Sequence, residues 1–286
     1  MHLIDIHVHN RCRQHLSPGT GRLILALLIT FLTACGGVPH APGGHEMLNA
    51  VLWQQSSAEY KAVALQTYQL ARANLDQALA DPHWNALPGQ PGSHVDLPPA
   101  ILLDLDETVL DNTGYEVRII KRLGQYSPES FGDWCHEANA AAVPGAAGFL
   151  EYAADRGVAV FYYSARKEVL RDCTTRTLHA LQLPLADAAH LLLNDGRSKS
   201  DYRAMLAQDY RILLLLGDNL EDFMDGSRNA ARARRNRVSD YGERWGREWI
   251  LFPNPIYGHW ESSCYAFDYR LPRDVQIQRK LQELRE

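Results

Sequence analysis

The stretch Pro99-Ala100-Ile101-Leu102-Leu103-Asp104-Leu105-Asp106-Glu107-Thr108-Val109-Leu110-Asp111-Asn112 sets the fold class. Its first half is a short apolar run, Ala100 to Leu105, reached through a segment punctuated by Pro82, Pro88, Gly89, Pro91, Gly92, Pro98 and Pro99. Prolines and glycines break regular structure ahead of the run, and a run without polar alternation fits a strand buried on both faces. Asp104 and Asp106 stand two residues apart where the run ends, so in extended chain they share one side. Beyond the carboxyl end of a parallel strand lies the crevice in which ligands of open α/β sheets bind. A phosphate, a divalent cation and two acids can meet there. On its own, the Asp-x-Asp pair fits a solvated acidic loop, or the metal-nucleotide grip of a glycosyltransferase, just as well.

Four further runs of the same kind are Val158 to Tyr163, His190 to Leu193, Ile212 to Leu216 and Trp249 to Phe252, separated by helix-length polar-apolar stretches. Apolar runs alternating with helices predict a doubly wound parallel sheet of about five core strands, an α/β fold. Polar groups fall at the exits of these strands: Ser164-Ala165-Arg166 after the second run, Lys199 after the third, and Gly217-Asp218-Asn219-Leu220-Glu221-Asp222-Phe223 at the end of the fourth. Chemistry-bearing residues at the ends of separate strands are what one shared site requires. The layout that follows is a leader over residues 1–35, a tether with N-terminal helices over 36–98, and a core over 99–286. A small helical cap is expected over about 113–142, a stretch that carries Tyr115, Tyr126, Phe131 and Trp134. In the N-terminal segment Leu48, Val51, Leu52, Leu65, Tyr68, Leu70, Leu75 and Leu79 recur at mostly helical spacing, with Ser56-Ser57 as an N-cap between two helices.

Arg11, Arg13 and Arg22 precede an apolar stretch from Leu23 to Ala34 that ends in Leu32-Thr33-Ala34-Cys35. A membrane-spanning helix needs roughly 20 apolar residues, so this reads as a secretory signal. Its ending resembles a bacterial lipobox, which makes Cys35 the lipidated first residue of an exported protein and a plain secretion signal the alternative. Gly36, Gly37, Pro39, Pro42, Gly43 and Gly44 would form the tether. His7-Val8-His9 is a pattern that can ligate metal, but it lies upstream of the signal and is discounted. Cleavage would remove three of 29 basic residues and one of 34 acidic ones, leaving an acidic chain, which disfavours a nucleic-acid polymer as partner. The arginines at 228, 232, 234, 235 and 237 then read as one solvated helix. Of the five cysteines, Cys135, Cys173 and Cys264 would remain; no Cys-x-x-Cys spacing suggests zinc, and any one of three disulfide pairings, or free thiols, is open.

The ordered set of strand-exit groups resembles the four motifs of the haloacid dehalogenase (HAD) superfamily. The wider text resembles its class C acid phosphatases, the lipoprotein 5′-nucleotidase-like family. That closer match rests on Leu48 to Gln54 with Ser57-Ala58-Glu59-Tyr60, Asp104 to Asn112, Ala142-Val143-Pro144-Gly145-Ala146, Phe161-Tyr162-Tyr163-Ser164, Gly217 to Phe223, and Pro253-Asn254 with Tyr257-Gly258-His259-Trp260-Glu261. The resemblance implies a Mg²⁺-dependent phosphomonoesterase with Asp104 as nucleophile and Asp106 as proton donor and acceptor. Ser164 and Lys199 would bind the phosphoryl group. Asp104, the Asp106 backbone carbonyl and Asp218 would hold the metal, with Asp222 orienting a metal-bound water or Lys199. Lys199 is preferred over Arg197 and Arg203 because Lys-x-x-x-Arg is closest to the family pattern; Ala165 departs from it, since Asn is frequent there. Burial among other acids predicts a raised pKa for Asp106 and an acid optimum.

Phe131, Trp134, Tyr257 and Trp260 are candidates to stack on a nucleobase or aryl leaving group, with Tyr257 foremost. The implied substrate is a small phosphomonoester outside the cytoplasm, handled by a lipoprotein that the resemblance places in the outer membrane, facing the periplasm or the cell surface, with oligomerisation possible. Two other readings stay open at this level: a haem-capturing binding lipoprotein, and a phosphotransferase of the same superfamily.

Overall fold

A computed structural model of the protein describes residues 45–89 and 92–286. The leader, Cys35, the His7-Val8-His9 pattern and the tether lie outside the described residues. Among the described residues seven strands run in the order β1 (Pro99–Leu103), β2 (Leu110–Asp111), β3 (Ala141–Ala142), β4 (Ala159–Lys167), β5 (Leu191–Asn194), β6 (Arg211–Gly217) and β7 (Trp249–Leu251). The helices are α1 (Leu48–Ser56), α2 (Ala58–Ala80), α3 (Thr113–Arg122), α4 (Pro128–Glu137), α5 (Ala146–Asp155), α6 (Arg171–Ala180), α7 (Lys199–Leu206), α8 (Ala231–Asp240), α9 (His259–Ser262) and α10 (Arg273–Glu283).

Five strands form one parallel sheet in the order β5-β4-β1-β6-β7. All five apolar runs of the sequence are strands of this sheet. Successive side chains of β1 point to opposite faces, and both faces are buried: Ile101 and Leu103 join a core with Val160, Tyr162, Leu214 and Leu216, while Ala100 and Leu102 join another with Phe161, Ile212, Leu215 and Trp249. Each such aliphatic or aromatic side chain gains about 1.5–3 kcal/mol on full burial. From β1 the chain builds outward through β4 and β5, then returns to the other side of β1 for β6 and β7. The strand order therefore reverses between β1 and β6, and that switch point opens a crevice at their carboxyl ends.

Ser57 caps α2, its hydroxyl accepting the Tyr60 N–H at 3.0 Å. The face α2 buries differs from the leucine stripe expected. Val51, Tyr68 and Leu75 are inside, but Leu48, Leu52, Leu65 and Leu70 are exposed, and the buried face consists of Tyr60, Ala64, Thr67, Tyr68, Ala71, Asn74, Leu75 and Ala78. Alanines let the helix lie close against α5, and Tyr68 contributes both area and a hydroxyl that donates to the Thr108 carbonyl at 2.7 Å. Hydropathy ranks leucine above alanine, so it found Tyr68 and Leu75 on the buried face but also selected the exposed Leu65 and Leu70 in place of the alanines.

Helices α3 and α4 lie between β2 and β3, which pair antiparallel (Leu110 with Ala142, Asp111 with Ala141). Pro128 opens α4 and Ser127 caps it, accepting the Ser130 N–H at 3.1 Å. A disulfide between Cys135 of α4 and Cys173 of α6 selects one of the three pairings; Cys264 is free. A cross-link spanning 38 residues restricts the unfolded chain by an amount worth about 4 kcal/mol in the chain-entropy description. Of the arginine-rich segment, Arg232, Arg234, Arg235 and Arg237 lie in α8 and Arg228 precedes it; Arg234 is buried. Among the described residues no helix is long and apolar enough to cross a membrane.

Glu116 of α3 is buried, and its carboxyl is pushed up to about 7, first by desolvation and then by the Glu261 charge. Its ordinary value is 4.5, so between the two the folded chain holds a proton that the unfolded chain has released. The stability this group contributes is complete below the unfolded value and is lost as pH rises through about 7. The full swing is on the order of 3 kcal/mol. Glu116→Gln is expected to match the parent in thermal denaturation near pH 4 and to exceed it near pH 8; equal midpoints at both would refute the assignment.

Candidate functional site

Asp104 follows β1 directly, and its position is fixed through the backbone. Its N–H donates to the Leu216 carbonyl of β6 at 2.9 Å, and its Oδ1 accepts the Leu105 N–H at 2.7 Å. The chain then folds tightly, with the N–H groups of Val109 and Leu110 both donating to the Leu105 carbonyl at 2.9 and 2.8 Å. This turn needs Glu107 at φ +56°, a left-handed conformation that costs a non-glycine residue on the order of 1 kcal/mol. Its fully buried carboxyl accepts the Asn112 N–H at 2.9 Å and the Tyr257 hydroxyl.

Asp218 and Asp222 arrive from the end of β6 and the short turn after it. Carboxylate oxygens of Asp104, Asp218 and Asp222 lie within 4.8 Å of one another. Gly217 makes this approach possible, because a Cβ there would stand 2.1 Å from Asp222 Oδ2. Lys199, the first residue of α7, places its ammonium 2.8 Å from Asp104 Oδ1 and 2.5 Å from Asp222 Oδ1. Desolvation works against that charge, but the two carboxylates outweigh it and push the lysine pKa well up. Arg197 instead pairs with Asp195, and Arg203 holds the Glu221 carbonyl and Asp225 at 2.8 and 2.7 Å. Of the three basic candidates, Lys199 alone reaches Asp104. The oxygens of Asp222 already accept from Lys199 and from the Asn219 N–H at 2.9 Å, the geometry of a side chain that orients the lysine.

The Asp106 carboxylate is not part of this cluster. It lies against Arg166 of β4, 2.7 Å away, with Ser164 Oγ at 3.4 Å from Oδ2. The raised pKa expected for Asp106 is corrected here. Burial does push the carboxyl up, but the Arg166 charge and hydrogen bonds, helped by Asn112 and Lys199, outweigh it and hold the carboxyl below the ordinary range. The sequence reading quoted Arg166 at a strand exit without giving it a role. Its buried guanidinium, two residues after Ser164 on one strand, is the part of the site that reading missed. Asn254, donating to Asp218 Oδ2 at 2.8 Å, is another.

The aromatic candidates separate. Tyr257 is half-buried and spends its hydroxyl on Glu107. Phe131 is half-buried beside Tyr115 and Tyr126, with the Arg166 guanidinium 5.2 Å from its ring centre. Trp134 is set in the core, its indole N–H donating to Asn112 Oδ1 at 3.2 Å and its ring against Gly114, which leaves packing as its visible use. Trp260 is exposed.

Three carboxylates against a single ammonium leave an excess of buried negative charge. Burial pushes Asp218 up to about 7, with Asp222 adding, and Asp104 is raised by burial against the opposing pull of Lys199. Oxygen donors in this number, with surplus negative charge, suit a hard divalent cation.

A family model described as HAD superfamily, subfamily IIIB (acid phosphatase), matches residues 40–260. The solved structure of the class C acid phosphatase from Bacillus anthracis is similar at 34% identity and a TM-score of 0.77, the match covering 85% of this chain and 98% of that one. The same Bacillus anthracis enzyme with tungstate bound is similar at 33% identity and a TM-score of 0.76, with the same coverage.

Proposed function

Because the chain belongs to subfamily IIIB of the HAD superfamily, the acid phosphatases, and is thereby a phosphomonoesterase, we propose that Asp104 is its nucleophile and that its substrates are nucleoside 5′-monophosphates or similar esters outside the cytoplasm. The observation that carries this reading is the meeting of Asp104 with Lys199, Asp218 and Asp222 at the crevice between β1 and β6. Asp104 attacks phosphorus and its oxygen becomes esterified, while Asp106 protonates the departing oxygen. Water then attacks phosphorus, gives a proton to Asp106, and frees Asp104. Lys199, and Ser164 where its hydroxyl lies near Asp106, supply positive charge and a donor to the phosphoryl oxygens. Asp104, Asp218 and the Asp106 backbone carbonyl would hold Mg²⁺, which when bound neutralises charge on the phosphoryl group.

The acid optimum is supported by membership of the acid phosphatases; the Arg166 pair, which holds the Asp106 carboxyl below its ordinary range, leaves less of the protonated form at a given pH. The tungstate in the Bacillus anthracis structure has the tetrahedral shape and charge of a phosphate, so tungstate is expected to compete with substrate. The disulfide supports an oxidising compartment, in keeping with export as a lipoprotein anchored through Cys35.

The deciding experiment measures phosphate release from a nucleoside 5′-monophosphate and from p-nitrophenyl phosphate by the chain starting after Cys35. Turnover is expected near pH 5 to 6, lost on chelation with EDTA and restored by Mg²⁺. Full activity in EDTA, or no turnover in folded protein supplied with Mg²⁺, would overturn the reading.

A further inference from the structure

Arg166 has its entire hydrogen-bonding capacity committed. Nε donates to Asp106 at 3.1 Å and Nη2 to Asp106 Oδ1 at 2.7 Å; Nη2 also reaches Asn112 Oδ1 at 3.3 Å. Nη1 donates to Thr174 Oγ1 of α6 at 3.1 Å and approaches Sγ of Cys135, the α4 half of the disulfide, at 3.7 Å. The guanidinium thus ties β4, the inserted helices and α6 to one carboxylate. A planar fork fully enclosed in this way has a single orientation.

The two oxygens of Asp106 are loaded unequally. Oδ1 accepts from Arg166 Nη2 and from Asn112 Nδ2, each at 2.7 Å, and shares the Nε contact at 3.1 Å. Oδ2 has only its share of that contact and Ser164 Oγ at 3.4 Å. A proton on Oδ1 would face donors already in place, whereas Oδ2 has room for one.

We infer that Arg166 is a positioning residue which, with Asn112, pins Oδ1 of Asp106 so that Oδ2 carries the proton to the leaving oxygen and takes it back from the attacking water. The inference rests on Asp106 being the proton carrier, as proposed above. Arg166 keeps its own protons throughout. In the first step the phosphorus–oxygen bond to the leaving group breaks as the bond to Asp104 forms, and the proton moves from Oδ2 to the leaving oxygen. In the second, water's proton moves to Oδ2 as its oxygen bonds to phosphorus and the Asp104 bond breaks.

The test compares substrates that differ in their need for that proton. In the first step a nucleoside 5′-monophosphate expels an alkoxide and needs that proton, whereas p-nitrophenyl phosphate expels a stable aryl oxide and does not. The second step is common to both, so leaving-group release is followed in a single turnover. Arg166→Met is expected to lower the single-turnover rate of leaving-group release about 100-fold for the nucleotide, within the range of a general acid, and less than about tenfold for p-nitrophenyl phosphate. Arg166→Lys, which keeps the charge and loses the fork, is expected to give the same split reduced to roughly tenfold against nearly none, and it carries the test if the methionine variant fails to fold. Asp106→Asn is the control. If it shows no split, the reading of Asp106 itself falls. If it shows the split and the Arg166 variants lose rate equally on both substrates, or not at all, the positioning role is overturned.

Discussion

Lys199→Met is expected to cost both rate and stability, and the two losses have different origins. The rate loss, on the order of 10²–10³ in kcat, is that of a preorganised cation aimed at developing phosphoryl charge. The stability loss arises because, among the described residues, Lys199 is the one ammonium paired with both Asp104 and Asp222, at 2.8 and 2.5 Å, in a site almost closed to water. Removing one partner of a buried ion pair strands the other and typically costs about 3–5 kcal/mol, which for a domain of this size lowers the melting temperature by roughly 10 °C. Adding Asp222→Asn should return part of that loss, because it removes one stranded charge, while activity stays low. Calorimetry in EDTA on the single and double variants checks this. A single variant as stable as the parent would mean that the lysine does not balance the cluster.

Asp104→Asn is expected to abolish turnover, by about 10⁴-fold or more, since without the carboxylate no covalent intermediate forms and the other groups have nothing to stabilise. Its stability should move the opposite way. Burial raises the Asp104 pKa most, Lys199 opposes it, and Asp222, Asp218 and Asp106 add to the rise. An amide of the same shape relieves that crowding and leaves Lys199 paired with Asp222, so the melting temperature should equal or exceed the parent's. An inactive, stabilised variant is what a site that trades stability for function predicts. Residual activity above about one percent of the parent, in a preparation free of deamidated protein, would point to a different nucleophile.

The turn that carries Asp222 is held by its own contacts. Tyr163 donates its hydroxyl to the Asp222 carbonyl, Asn219 donates to the Asp222 carboxylate, and Arg203 holds the Glu221 carbonyl at 2.8 Å. The turn after β6 is thereby fixed from three sides, and the lysine has one place to go.

How much of this was legible in the chain depends on the range of the physics involved. The five-stranded parallel sheet could be read because uninterrupted apolar runs such as Ile212 to Leu216 have few other uses. Asp104, Ser164, Lys199 and Asp218 could be picked out as candidates because strand exits in such a sheet converge on one crevice. The buried face of α2 could not. Its selection of Ala64, Ala71 and Ala78 over Leu65 and Leu70 depends on how closely α5 approaches, and hydropathy does not encode approach.

The sequence by itself determined the fold class, the order of the strands' polar exits and the residues eligible for chemistry, since these follow from local periodicity and from chain order. Only the tertiary structure decided that Cys135 pairs with Cys173, that Lys199 rather than Arg197 or Arg203 reaches Asp104, and that Asp106 is governed by Arg166. Each of those outcomes is a contact between segments far apart in the chain. A charge 60 residues away in sequence and 2.7 Å away in space reverses the pKa shift that burial alone would give.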